Sequence, residues 1–228
     1  MNARLELGQI AGIPIYLDMM FVLVLVVFSS HYFTGGDSQM MSAGLLIITG
    51  IIGSILLHEL GHAFAARLFK TGVSEIALTG LGGVARFSTS LPRALLPRVI
   101  IYLAGPAANL LLWYGFQQLA VLAAGSGKPI VAYVLLQLAG INYYFMLFNL
   151  LPAYPLDGGH TLDAILARII GPSRAQWIVG ALGLVVSLWL AFTAIQSLPS
   201  GIFLLFLAFS LAELNLALFQ SAGGWRRR

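Results

Sequence analysis

The sequence predicts an all-α polytopic membrane protein with about six transmembrane helices and a small membrane-associated β-hairpin or sheet. Hydrophobic residues make up 59% of the 228 residues, charged residues make up 9%, and the mean hydropathy is +0.92. Soluble domains are closer to a quarter charged, so this chain has too little polar surface to cover a water-soluble globule. Six apolar stretches each reach roughly the 20 residues that cross a bilayer.

The predicted spans also explain where the basic residues lie. The spans are residues 16–34, 41–69, 94–124, 130–151, 175–197 and 200–221. With six spans, eleven of the twelve basic residues share a side with both termini, and only Lys128 lies on the other side. Because cytoplasmic loops carry an excess of Lys and Arg, we expect both termini to be cytoplasmic and the membrane to be the cell membrane. The basic residues therefore serve topology, and no nucleic-acid partner is expected.

Three smaller features complete this outline. Residues 1–15 alternate loosely between apolar and polar side chains, which is weakly typical of a strand at the membrane interface. The C-terminal Trp225-Arg226-Arg227-Arg228 is expected to be an interfacial anchor. Glu213 and Asn215 lie inside the sixth span, where an ionisable residue is a candidate for function. We expect Glu213 to pair with an Arg at the cytoplasmic end of a helix.

The second span contains an H-E-x-x-H pattern, His58-Glu59-Leu60-Gly61-His62. Residues four apart share one face of a helix, so His58 and His62 can bind one metal ion. Glu59 can then accept a proton from a metal-activated water. The chain has no cysteine, so any metal must be held by His, Asp, Glu or Asn. Two imidazoles and a carboxylate are costly to bury in an apolar span unless they are paired or bind metal.

Two loops are unusual. Residues 73–90 hold two short apolar runs around the Gly-rich stretch 80–83, which predicts a hairpin. This hairpin either links two helices or offers an edge strand to an extended peptide. The loop after the fourth span contains two prolines and two glycines around Asp157. Asp157 is either an ordinary turn residue or, because an irregular backbone at membrane depth lines a polar cavity, the third ligand of the metal.

Three motifs together resemble the site-2 proteases, which are intramembrane zinc metalloproteases. His58–His62 resembles the family's H-E-x-G-H motif, Gly105–Asn109 resembles its G-P-x-x-N segment, and Asn149–Gly159 resembles its N-x-x-P-x-x-P-x-D-G segment. The resemblance runs from about residue 8 to 170. It implies one membrane-embedded metalloprotease domain over residues 1–228. The catalytic core would lie at about 41–170, with extra C-terminal helices at 175–221. The sequence departs from some relatives, since the interval between the histidine and Asp motifs is too short and too apolar for a PDZ-like insertion, and we expect a minimal form without a CBS domain.

The resemblance also implies roles for individual residues. One zinc ion per chain would be held by His58, His62 and Asp157, with Glu59 as the general base.

For the substrate, the resemblance implies that Asn149 binds the scissile carbonyl or its oxyanion, for which an amide N–H is a suitable donor. A helix cap or an interhelical hydrogen bond is the alternative role for Asn149. The hairpin, at Gly82, Gly83 and Val84, would hold the substrate as an extended strand.

The expected function is zinc-dependent intramembrane endopeptidase activity on transmembrane segments of membrane-anchored proteins, as in regulated intramembrane proteolysis. The partners would be a membrane-spanning substrate and the lipid bilayer. A membrane metal transporter or channel is one alternative, and a catalytically silent relative that binds substrates is another. A two-histidine pattern joined to a distant Asp favours hydrolysis, because three protein ligands leave a position open for water.

Overall fold

The computed structural model describes residues 4–80, 82–198 and 201–222, and this part of the chain is mainly helical. The strands are β1 (Arg4–Ile10), β2 (Ile13–Asp18), β3 (Val73–Thr79) and β4 (Gly82–Phe87). The helices are α1 (Met19–Ser29), α2 (Ser38–Leu68), α3 (Leu95–Gly125), α4 (Pro129–Asn149), α5 (Asp157–Ile170), α6 (Pro172–Gln196) and α7 (Ile202–Ala222). The predicted fold class is confirmed. The predicted C-terminal anchor lies outside the described residues.

Five of the described helices, α2, α3, α4, α6 and α7, are long and apolar enough to cross a membrane. The chain is therefore an integral membrane protein. The first predicted span differs, because α1 has only 11 residues and is about 16 Å long, roughly half of a bilayer core. Residues 16–18 of the predicted span belong to β2. The Asp18 side chain then caps α1 by accepting a hydrogen bond from the Met20 N–H at 3.1 Å.

The chain divides into two compact units, of which the first contains residues up to Leu91 and Ala104–Met146. Its four strands form one sheet in the order β1-β2-β3-β4. The predicted hairpin is β3 and β4, which pair antiparallel, and the strand-like N-terminal segment supplies β1 and β2. β2 and β3 pair in parallel. One side of α2 covers this sheet through a small apolar cluster: Ile13, Leu60, Ala63 and Ile76.

The second unit contains Pro92–Leu103 and the described residues from Leu147 onward. Helix α6 packs against α5 and α7. The irregular segment between α4 and α5 is anchored here, because Ala153 and Leu156 are buried against Leu190 of α6 and Leu211 of α7. This packing fixes the stretch that leads into Asp157.

Candidate metal centre

Helix α2 is buried on two opposite sides at the level of the H-E-x-x-H pattern. Leu60 and Ala63 face the sheet, and His58 and His62 lie on the other side with only 3% and 6% of their surface exposed. The Nε2 atoms of the two histidines are 3.1 Å apart. Two imidazole ligands of a tetrahedral zinc ion lie about 3.4 Å apart. The pair is therefore spaced to share one ion.

Helix α3 approaches the two histidines through glycine. A Cβ atom on Gly105 would lie 2.6 Å from the Nε2 atom of His58 and would also collide with the His62 ring. In the same contact, a Cβ atom on Gly61 of α2 would lie 2.7 Å from the carbonyl oxygen of Ala104. The Gly105-Pro106 pair therefore permits a close approach of α3 to α2. It keeps the space next to both Nε2 atoms free of side chains, as a metal ion requires.

A chain of buried amides fixes the orientation of the His58 ring. The Nδ1 atom of His58 hydrogen-bonds the Oδ1 atom of Asn109, and Asn109 donates through Nδ2 to Oδ1 of Asn142 at 2.8 Å. Asn142 in turn donates to the backbone carbonyl of Leu138 at 2.8 Å and to the Ser54 hydroxyl at 2.9 Å. A backbone carbonyl only accepts, so it sets the direction of every bond in this amide relay.

The amide relay decides which nitrogen of His58 faces the metal position. Because Asn109 presents its oxygen, Nδ1 carries the proton and Nε2 keeps its lone pair for a metal. Asn109 and Asn142 have no exposed surface. Sequence reasoning identified Asn109 only as part of a motif and missed Asn142. The available signal was an amide inside an apolar span, where polar groups need a partner.

Glu59 lies beside the edge strand of the sheet. It is 5% exposed and projects about 100° around the helix from His58. A Cβ atom on Gly83 of β4 would lie 2.7 Å from Glu59 Cδ. Only glycine allows the backbone of β4 to come this close to the carboxylate. No described strand pairs with the outer edge of β4, so the candidate general base lies next to a strand edge that can accept a peptide.

Asp157 is the first residue of α5 and is 9% exposed. The two glycines after it allow the helix to start directly against the preceding loop. A Cβ atom on Gly158 would lie 2.6 Å from the carbonyl oxygen of Leu151, and one on Gly159 would lie 2.5 Å from that of Ala153. A carboxylate in the first turn is stabilised by the positive end of the helix dipole. Two His and one Asp are donors that suit zinc, and the role of Asp157 as the third ligand stays a prediction.

The aromatic and acidic neighbours of this loop form a second polar group. The His160 ring stacks on Tyr102 with centroids 4.9 Å apart and meets Tyr154 edge-on at 4.5 Å. The hydroxyl of Tyr154 interacts with the carboxyl of Asp163. Burial raises the pKa of Asp163, although the Tyr154 hydrogen bond and the Arg98 charge both act to lower it.

The remaining predicted site residues lie as follows. Asn149 ends α4 and is half-buried, Gly82 and Gly83 open β4, and Val84 is 45% exposed. Their roles toward a substrate stay predictions.

Comparison with known proteins identifies the family. Residues 46–133 and 123–190 match the model of peptidase family M50. The chain belongs to peptidase family M50. Two curated relatives are the zinc metalloprotease MJ0392 of Methanocaldococcus jannaschii and the putative zinc metalloprotease Rip3 of Mycobacterium tuberculosis. MJ0392 is 32% identical over 80% of this chain, and Rip3 is 33% identical over 84% of this chain. This chain spans 51% of the length of MJ0392 and 56% of the length of Rip3.

A solved structure shows the same fold. The site-2 protease from Methanocaldococcus jannaschii superposes with a TM-score of 0.64 and 24% identity. The match covers 92% of this chain and 95% of the other. The M50 motifs therefore lie in the fold that the sequence resemblance implied.

Proposed function

We propose that this chain is a zinc-dependent intramembrane endopeptidase that cleaves transmembrane segments of membrane-anchored proteins. The observation that carries the proposal is the arrangement around α2, where a buried histidine pair, a buried Glu59 and an open strand edge lie together. His58, His62 and Asp157 would hold the metal. Zinc at such a site supplies Lewis acidity and lowers the pKa of a water molecule toward about 7.

The protein's own residues would perform the proton transfers. Glu59 accepts the proton of the attacking water and then donates it to the nitrogen of the departing amine. General acid–base assistance of this kind contributes typically about 10²–10⁴-fold to a rate. The amide of Asn149 donates a hydrogen bond to the oxyanion that forms at the scissile carbonyl.

The sheet would present the substrate to this chemistry. A helical peptide bond is sheltered by its own backbone, so a membrane-spanning substrate must unwind before it is cut. Addition of the unwound segment to the outer edge of β4 satisfies its backbone hydrogen bonds, which have no partner in lipid. Gly83 keeps that edge beside Glu59. The same proposal places both termini in the cytoplasm, from the distribution of the basic residues.

The variant Glu59→Gln tests the proposal. Cells that produce it should accumulate membrane stubs that cells with the wild-type chain remove, as quantified by proteomics of the membrane fraction. The purified variant should retain one zinc ion per chain, because an amide at this position leaves the ligands unchanged. Glu6→Gln is the matched control, since Glu6 is exposed on β1, and it should behave as wild type.

Two results would count against the proposal. Full removal of stubs by Glu59→Gln would exclude Glu59 as the general base. Glu59-dependent zinc flux in liposomes, without any change in stubs, would instead support a transporter.

A further inference from the structure

The segment that leads into Asp157 has no helix or strand of its own. Residues 150–156 connect α4 to α5 through bends and turns, and Pro152 and Pro155 lack backbone N–H groups. The position of the Asp157 carboxylate therefore depends on whatever holds this segment in place.

Asn215 of α7 holds the segment through its backbone. Its Oδ1 atom accepts a hydrogen bond from the Tyr154 N–H at 3.0 Å, and its Nδ2 atom donates to the Tyr154 carbonyl at 2.7 Å. Nδ2 donates its other hydrogen to the Leu211 carbonyl oxygen, at an N–O distance of 2.8 Å. Asn215 has no exposed surface, and its side chain pairs with both backbone polar groups of one loop residue, as a neighbouring strand would.

Helix α6 leaves room for this contact. A Cβ atom on Gly183 would overlap the amide of Asn215, so glycine is required there for the amide to lie between α6 and the loop. On the other side, the Tyr154 ring meets the His160 ring edge-on at 4.5 Å and its hydroxyl interacts with Asp163, both on α5. Tyr154 is thus fixed through its backbone by α7 and through its side chain by α5.

A role limited to joining helices does not account for these contacts. Glycine at position 183 already lets α6 and α7 pack closely, and an apolar residue would fill the same space without an amide to satisfy. Asn215 instead makes two of its three hydrogen bonds to the backbone of Tyr154, which lies three positions before Asp157.

We propose that Asn215 is a positioning residue of the metal site, which acts through Tyr154 to hold Asp157 in place. This inference rests on the proposed function, in which Asp157 is a zinc ligand. The match to the family model ends at residue 190, before α7 begins. The inference therefore gives a role in the metal site to a helix that lies outside the matched residues.

Asn215→Leu removes all three hydrogen bonds and keeps a side chain of the same branched shape. Its apparent zinc affinity, measured by competition with a fluorescent chelator in detergent at low temperature, should fall about 10–100-fold, as is typical when a group that supports a ligand is lost. Asn215→Asp keeps the acceptor for the Tyr154 N–H but loses the donors, and its zinc affinity should lie between those of wild type and Asn215→Leu.

Two further variants separate positioning from general destabilisation. Gly183→Ala keeps Asn215 but displaces its amide, and it should weaken zinc binding as Asn215→Leu does. Val179→Ala opens a cavity at a fully buried site of α6 and should lower the melting temperature while zinc affinity stays unchanged. If Asn215→Leu does not yield folded protein, Gly183→Ala and Asn215→Asp decide the question.

Asp157→Ala shows which idea fails. If that variant keeps its zinc, the proposed ligand set is wrong. If it loses zinc while Asn215→Asp and Gly183→Ala bind zinc as tightly as wild type, only the positioning role of Asn215 is overturned. Equal weakening by Val179→Ala would also overturn it, because destabilisation alone would then explain the loss.

Discussion

At the scale of single residues, the site depends as much on absent side chains as on ligands. Gly83 allows β4 to approach Glu59, and Gly105 allows α3 to approach both histidines. Neither glycine binds anything itself. Each one keeps free a space that any other residue would fill with a Cβ atom.

Gly105→Ala should therefore remove zinc without changing a ligand. The added methyl group occupies the space next to the Nε2 atoms of His58 and His62, and we expect zinc affinity to fall by at least 10–100-fold. Zinc per chain, measured by elemental mass spectrometry on purified protein, checks this. Gly115→Ala is the matched control on the same helix, since no atom lies within 4 Å of its added Cβ. One retained zinc ion in Gly105→Ala would contradict the reading of this space.

The amide relay shows where residue-level prediction from sequence ends. The proximity of His58 and His62 was predictable, because four-residue spacing on a helix places both side chains on one face. The partner of His58 was not, because Asn109 and Asn142 lie on two other helices, 51 and 84 residues away along the chain (109 − 58 and 142 − 58). Only the tertiary packing shows that both amides are bonded in one direction.

At the scale of elements, β4 combines an open edge with a position beside Glu59, the proposed general base. The sheet order leaves β1 at one edge and β4 at the other. β4 alternates between half-buried and exposed residues from Gly83 to Arg86, and Arg86 pairs with Glu75 of β3 at 2.9 Å. An added peptide would continue this antiparallel or parallel ladder with a two-residue side-chain period.

Cysteine crosslinking should detect that period, because the chain contains no native cysteine. In the Glu59→Gln background, Val84→Cys should be tested against a panel of transmembrane substrates, each with a single cysteine at a different position of one stretch. Disulfides should form at every second position of that stretch. Gel mobility under non-reducing conditions gives the pattern. Leu5→Cys on β1, which is 60% exposed, serves as the control at the opposite edge and should not crosslink. Crosslinking at every third or fourth position would mean that the substrate binds as a helix.

The long helices were predicted from sequence with boundaries within three residues, since apolar runs of 20 or more residues have few other structures open to them. The first span was less predictable. The prediction placed residues 16–18 in this span, but they belong to β2, which pairs with β3 about 60 residues further along the chain. No local pattern indicates a parallel partner at that distance.

At the scale of the whole molecule, the free energy of unfolding depends on the buried carboxyl of Asp163. Its neighbours Tyr154 and Arg98 only partly offset the cost of burying that group in its ionised form. Burial raises the pKa of Asp163 above the usual carboxyl value. The folded protein therefore holds this proton more tightly than the unfolded chain does. Its contribution to stability is complete below the unfolded pKa of about 3.9 and is lost as pH rises through the higher folded pKa.

Asp163→Asn should consequently raise the melting temperature at pH 7, with a gain that shrinks toward zero as the pH approaches about 4. An asparagine can still accept the hydrogen bond from Tyr154. Thermal unfolding of purified protein across this pH range, with the exposed Glu6→Gln as control, provides the measurement. A loss of stability at pH 7 would show that the ionised carboxylate is favourable in the folded state.

The parallel pairing of β2 with β3 sets an order of events during biosynthesis. Residues 19–72, including all of α2, lie between these two strands, so the sheet closes only after α2 has been made and inserted. His58, Glu59 and His62 therefore emerge from the ribosome before β3 and β4 exist. Until the hairpin follows, the newborn chain carries its histidine pair but lacks β4, the strand beside Glu59, so a site that needs the edge of β4 would stay incomplete during assembly.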